Sequence, residues 1–362
     1  MQHNDISLQL KRLHIKNFRC FNDLTLDLQS PVVLIEGING TGKTSILEAL
    51  YYSCYLRSFR THWPRELLQF NHTNFFIKAI VSAESITHEI QVGFSGAKRL
   101  VKVNQKVVSS YKELMNFYRV VSLTEDDLEL INGGPHIRRA FIDHALLLHN
   151  PEFIHDIRTL KQIADHRNSL LKKGRADRQA YTLWTEQLWD ISHIIQHKRQ
   201  ELLAILAKKT QEMIDTFFGG SISIVFEYQI KKMSLTRDAM VADDQLYRDE
   251  QRLGRSLFGA HLDDINITFQ DKKSKSFASR GQQKLIIFLL KIAQIQYLKD
   301  FQGSAVFLID DFMTDFDELR AHTILAALTG LNSQLIFTCP VRNLFLEDNL
   351  RQHGLQHIKL TI

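Results

Sequence analysis

The stretch Gly37-Ile38-Asn39-Gly40-Thr41-Gly42-Lys43-Thr44 decides the fold. It fits G-x-x-x-x-G-K-[ST], the spacing of a phosphate-binding loop. The apolar run Val32-Val33-Leu34-Ile35 predicts a buried parallel strand before it, and Ser45-Ile46-Leu47-Glu48-Ala49-Leu50 predicts a helix after it. The motif's chemistry needs that position. Glycines let successive backbone N–H groups curl around phosphate oxygens, and the start of a helix favours an anion. All eight residues from Gly37 to Thr44 are therefore candidate contacts for a nucleoside triphosphate such as ATP. Lys43 is expected to reach the β- and γ-phosphates, and the Thr44 hydroxyl to ligate Mg²⁺.

Two later segments fit the same chemistry. Ala305-Val306-Phe307-Leu308-Ile309-Asp310-Asp311 is an apolar strand ending in two acids. Asp310 is placed to hold Mg²⁺ through water, and Asp311 to polarise an attacking water and take its proton. Ser279-Arg280-Gly281-Gln282-Gln283-Lys284 opens a helical stretch from Leu285 to Leu298. Ser279 suits an N-cap, and such a helix start can bind a second phosphate. Spacing alone leaves open whether Ser279 and Lys43 meet within one subunit or across two.

With 362 residues, 44% of them apolar, the chain can bury a large core in one or two domains. Its net charge of +5 permits a polyanionic partner without demanding one. The basic clusters Lys11-Arg12, Arg57 to Arg60, Lys172 to Arg178 and Lys272 to Lys275 are scattered, so DNA binding does not follow from charge pattern. Cys20, Cys54 and Cys339 form neither a disulfide framework nor a zinc pattern, and the start of the chain shows no signal segment. A cytoplasmic protein that spans no membrane is expected. Alternation over Leu8 to Leu28, Phe75 to Val81, His88 to Phe94 and Leu100 to Val107 predicts an antiparallel meander. From Asp126 the period turns helical, with one stripe through Phe153, Ile157, Leu160 and Ile163 and another from Tyr181 to Phe217. The break at Lys172-Lys173-Gly174-Arg175 predicts the turn between them. These periods predict an α/β head formed by 1–134 and 255–362, with a mainly helical arm, 135–254, inserted.

The phosphate loop, S-x-G-Q and the strand ending in Asp310-Asp311 occur in the order of an ABC-type (P-loop) ATPase head, with a mixed sheet and an antiparallel meander. Several further segments resemble the RecF family of bacterial DNA repair proteins. They are Ile15-Lys16-Asn17-Phe18-Arg19, Arg57-Ser58-Phe59-Arg60, Asn132 to Asp143 (NGGPHIRRAFID), His166-Arg167-Asn168-Ser169-Leu170-Leu171 and Gly259-Ala260-His261-Leu262-Asp263-Asp264. The resemblance implies an SMC-like head that binds ATP, hydrolyses it weakly and binds single-stranded, duplex or gapped DNA. It implies an ATP-dependent homodimer in which Ser279, Gly281 and Gln282 complete the partner's site, with Arg19 as a further ATP contact. It further implies work with RecO and RecR in loading RecA, and support of the SOS response. Ala260 replaces the family's proline, and Thr314-Asp315-Phe316-Asp317 replaces its SELD segment. The alternatives are another SMC-like ATPase or a transporter's nucleotide-binding subunit, the latter predicting L-S-G-G-Q and a switch histidine. The sequence instead has S-R-G-Q, and Thr338 follows Gln334-Leu335-Ile336-Phe337.

Overall fold

The computed structural model describes residues 8–83, 86–96, 98–108, 113–114, 118–172, 177–234, 236–311, 316–340 and 343–360. Two compact units emerge, one of Met1–Leu128 with Arg280–Ile362 and one of Glu129–Ser279. The described strands are β1 (Leu8–Phe18), β2 (Phe21–Asp27), β3 (Val32–Glu36), β4 (Asn74–Ala83), β5 (Ile86–Ser95), β6 (Lys98–Val103), β7 (Lys106–Val107), β8 (Val120–Leu123), β9 (Ile224–Gln229), β10 (Asp264–Phe269), β11 (Lys272–Lys273), β12 (Val306–Ile309), β13 (Leu335–Cys339) and β14 (Leu355–Lys359). The principal helices are α1 (Lys43–Tyr55), α2 (Pro135–His149), α3 (Phe153–Lys172), α4 (Arg178–Phe218), α5 (Asp244–Leu253), α6 (Arg280–Gln302), α7 (Glu318–Thr329) and α8 (Leu344–Leu350).

The first unit holds two sheets. The parallel sheet runs β14-β3-β13-β12-β8, and β3, β8, β12 and β13 are almost wholly buried. Burial on both faces explains why β3 and β12 read as unbroken apolar runs. The antiparallel sheet runs β2-β1-β4-β5-β6-β7. Along β4, Phe75, Ile77, Ala79 and Val81 are buried and the residues between them are not, which is the alternation of a sheet with one wet face. The stretch from Leu100 to Val107 is a hairpin of β6 and β7, where one continuous strand was expected. Asn104 and Gln105 both take positive φ, 48° and 67°, as a tight two-residue hairpin turn requires. Buried Gln334 ties the two sheets together. Its amide donates to the carbonyls of Leu10 (2.9 Å) and Leu28 (2.8 Å) and accepts from the Leu10 N–H (2.7 Å).

The second unit is built on α4, 41 residues long and so about 60 Å at ~1.5 Å per residue. Its buried stripe includes Leu188, Ile191, Ile195, Leu202, Leu206 and Met213. The unit extends beyond the expected 135–254 because β10 hydrogen-bonds to β9 in antiparallel register, from Asp264↔Gln229 to Phe269↔Ile224. That pairing gives the mainly helical unit a three-stranded sheet and carries residues 255–279 with it. The expected turn after Lys172 lies largely outside the described residues, as do Thr314 and Asp315. Asp317 caps α7 by accepting from the Arg320 N–H at 2.9 Å.

The RecF-like segments of this unit converge on a buried polar network. Arg138 pairs with Asp264 through Nε (2.7 Å) and Nη2 (3.0 Å). Arg199 pairs with Asp143 at 2.7 and 2.8 Å and donates to the Ala260 carbonyl at 2.6 Å. Asp263 accepts from Gln196, the Tyr228 hydroxyl and the Lys231 N–H, each at 2.8 Å. The Ala260 N–H donates to the buried Ser192 Oγ at 3.0 Å, a bond a proline could not make, so this chain uses its departure from the family pattern. His261 is kept neutral. Burial first, then the charges of Arg139, Arg167 and Arg199, push its imidazole down to about 4. Because the unfolded chain takes up that proton near pH 6.5, stability contributed by His261 is full above pH 6.5 and falls as pH drops toward 4. Between pH 7 and pH 5 the wild type should lose more thermal stability than His261→Gln, and equal losses would exclude this source.

Candidate nucleotide-binding site

Parallel strands bring their C-terminal ends to one edge of the sheet, and the site forms there. The chain leaves β3 at Glu36 and runs through Gly37 to Gly42 into α1. Gly40 and Gly42 take φ of 91° and 93°, which glycine adopts without strain. A Cβ on Gly37 would stand 2.5 Å from Thr41 Oγ1, so a side chain there would push the Thr41 hydroxyl from its place in the loop. The Thr41 hydroxyl donates to the Ile38 carbonyl at 2.8 Å, and Lys43 Nζ curls over the loop to donate to the Gly37 carbonyl at 2.8 Å.

The two halves of the motif meet. Thr44 Oγ1 donates to Asp310 Oδ2 at 2.7 Å across 266 positions of sequence. Lys43 Nζ lies 3.5 Å from Asp311 Oδ2. Between β3 and β12 in the sheet lies β13, which places Thr338 between loop and acids. Thr338 Oγ1 accepts the Asp311 N–H at 2.8 Å and lies 2.8 Å from Asp310 Oδ1 and 2.9 Å from Asp311 Oδ1. Its single proton can serve only one of the two carboxylates at a time. Burial pushes the Asp310 carboxyl above its ordinary value, opposed by the hydrogen bonds from Thr44 and Thr338 and reinforced by the charge of Asp311. Asp311 holds a left-handed backbone, φ 47°, which the Thr338 bond secures. The donor set suits Mg²⁺. The Thr44 hydroxyl, bonded to the Asp310 carboxylate at 2.7 Å, is a hard oxygen donor that could ligate Mg²⁺ directly, with Asp310 beside it to hold one of the ion's waters. From the sequence, Thr338 stands where transport ATPases carry a switch histidine, as the RecF pattern has it, but with no contact to the acids evident. Thr338→Val should cost about 1–3 kcal/mol by leaving the Asp311 N–H and one acid without their partner. Urea unfolding checks this, and an unchanged midpoint would contradict it.

Arg19 is engaged by protein groups. With φ 52°, it places Nε 2.8 Å from Glu48 Oε2, Nη2 2.7 Å from Glu48 Oε1 and Nη1 2.7 Å from the Glu66 carbonyl. Glu48, on α1, is wholly buried and also accepts from Ser58 Oγ. The segments around Arg19 and Arg57 to Arg60 thus converge on one carboxylate that the sequence reading did not single out. Ser279 is exposed and is the last residue of the second unit. Gly281 and Gln282 lie in the first turn of α6, and a Cβ on Gly281 would meet nothing within 4 Å. Arg280 donates to Glu125 at 2.8 Å and Lys284 pairs with the same carboxylate, so the helix start is anchored behind β8.

Comparison with known proteins agrees with this geometry. A family model described as an AAA domain matches residues 12–319. The DNA replication and repair protein RecF of Leptospira interrogans serogroup Icterohaemorrhagiae serovar copenhageni (strain Fiocruz L1-130) is 31% identical over 317 residues, covering 86% of each chain. RecF of Desulfitobacterium hafniense (strain DSM 10664 / DCB-2) is 26% identical over 338 residues, covering 91% of this chain and 93% of the relative. A solved structure of the recombination mediator protein RecF with ATP, in the RecFOR pathway, superposes with a TM-score of 0.83 at 25% identity, covering 95% of each chain. An Smc head domain from Pyrococcus furiosus shares the fold at a TM-score of 0.56 and 12% identity, covering 98% of this chain and 94% of that one. Fold, motif order and these relatives agree that the chain belongs to the RecF family of DNA replication and repair proteins, with an ABC-type ATPase head.

Proposed function

We propose that this protein is an ATP-driven switch of recombinational DNA repair. The observation that carries the reading is the Thr44–Asp310 contact, which joins the phosphate loop to the acid-tipped strand at 2.7 Å. The N–H groups of Gly37 to Thr44 would cradle the phosphates of ATP, and Lys43 would offset charge on the γ-phosphate. Thr44, directly, and Asp310, through water, would hold Mg²⁺, which would supply Lewis-acid charge to the phosphates. Asp311, fixed by Thr338, is set to accept a proton from an attacking water, and hydrolysis is weak. Ser279, Gly281 and Gln282 of a second copy cover the γ-phosphate, and Gly281, with open space where a side chain would stand, supports that role. Closure of the dimer on DNA at single-strand gaps, with RecO and RecR and in support of RecA loading, is the output. The relatives named RecF and the ATP-bound RecF structure favour it.

Sedimentation tests the reading. With ATP, Mg²⁺ and duplex or gapped DNA, the wild type should shift to a DNA-bound dimer. Lys43→Met should remain monomeric and bind DNA as the nucleotide-free protein does. Equal dimerisation and DNA binding by the variant would sink the mechanism.

A further inference from the structure

Behind the phosphate loop lies a second cluster that the nucleotide chemistry does not use. Glu36 ends β3, His357 sits in β14 and Glu347 lies on α8. Because β14 and β3 pair in parallel, with His357 opposite Leu34 and Lys359 opposite Glu36, His357 and Glu36 project from the same sheet face. One ligand atom from each of the three residues can be chosen so that all lie within 4.8 Å of one another. His357 Nε2 is 2.8 Å from Glu36 Oε2, and its Nδ1 is 3.8 Å from Glu347 Oε1. Glu347 is 4% exposed.

We propose that Glu36, Glu347 and His357 bind a divalent transition-metal cation of the zinc type. A plain ion pair explains the cluster poorly. Glu36 Oε2 and His357 Nε2 are both shielded from solvent, yet neither has a partner in hydrogen-bond geometry despite their 2.8 Å separation. A four-coordinate ion with bonds of ~2.0–2.1 Å would need the pair to open from 2.8 Å to about 3.3 Å, a side-chain adjustment that would give both orphaned atoms a partner. The imidazole selects against Mg²⁺ and Ca²⁺, which prefer all-oxygen shells, and the carboxylates suit Zn²⁺, Co²⁺ or Mn²⁺. Three protein ligands leave a fourth position for water. The bound ion fastens the end of β3 to β14 and α8 immediately before Gly37, whose carbonyl receives Lys43 Nζ. The site stands whether or not the loop binds ATP.

The test uses the full chain, stripped with a chelator and dialysed against Zn²⁺ with elemental analysis. The wild type should retain one more ion per chain than either His357→Ala or the isosteric Glu347→Gln, and Zn²⁺ should raise the wild-type melting temperature alone. The wild type should also give a saturable visible Co²⁺ band that Zn²⁺ displaces, a readout that needs no variant. Equal zinc content in wild type and folded variants, or a wild type with no saturable Co²⁺ band, would overturn the proposal.

Discussion

Glu250→Ala should destabilise the second unit by about 3–5 kcal/mol, the cost of leaving a buried charge uncompensated. Arg167 and Glu250 are both fully buried and pair at 2.6 and 3.0 Å. Glu250 also accepts from the Tyr181 hydroxyl and the Leu257 N–H, each at 2.7 Å. The Arg167 guanidinium carbon lies 4.8 Å from the ring centre of Tyr181 and 4.9 Å from that of Phe258, and the guanidinium donates to Ser256 Oγ at 2.8 Å. Truncating the carboxylate strands a guanidinium between two aromatic rings and leaves two further donors without an acceptor. The double variant Arg167→Met, Glu250→Leu should recover much of the loss, because a buried pair competes poorly with apolar groups of similar volume. Urea unfolding of both variants measures the difference. If the double variant is no more stable than the single one, the charge account of this network is wrong.

Gly42→Val should damage both the loop and the fold around it. Gly42 has φ 93°, a conformation that costs a β-branched residue of order 1–3 kcal/mol. A Cβ there would stand 2.5 Å from Cys20 Sγ, in the turn after β1, and 2.5 Å from Phe21 Cζ, at the start of β2. Either that turn moves away or α1 shifts, and the loop's N–H groups no longer point to a common centre. ATP affinity should fall at least about 100-fold, roughly 2.7 kcal/mol, with a lower melting temperature. Fluorescent-nucleotide titration reads the first and calorimetry the second. Wild-type affinity in this variant would mean that nucleotide binds elsewhere.

How much of this was legible in the sequence depends on how local each feature is. The loop, its strand and its helix are contiguous, so spacing and period sufficed. The acids at 310 and 311 were legible from one apolar run. Thr338 was not, because its role follows from β13 lying between β3 and β12, and strand order is set by packing over the whole sheet. The helical stripes were found from apolar residues alone. Ile195, Arg199 and Leu202 lie on one face at spacings of four and three, as do Leu160, Ala164, Arg167 and Leu171. An arginine on such a stripe signals a buried ion pair, and that signal could have located both networks. Its acidic partners, Asp143 and Glu250, are 56 and 83 positions away, beyond any periodic pattern. The extra β9–β10 pairing was missed for the same reason.

The central claim is that Gly37 to Thr44 and Asp310 form one nucleotide site. Calorimetric titration of ATP into wild type and Lys43→Met, each with Mg²⁺ and with excess chelator, tests it most directly. The account predicts one site per chain in the wild type, weakened when Mg²⁺ is removed, and no measurable site in Lys43→Met. Binding of equal strength in both proteins, or wild-type binding indifferent to Mg²⁺, would contradict it.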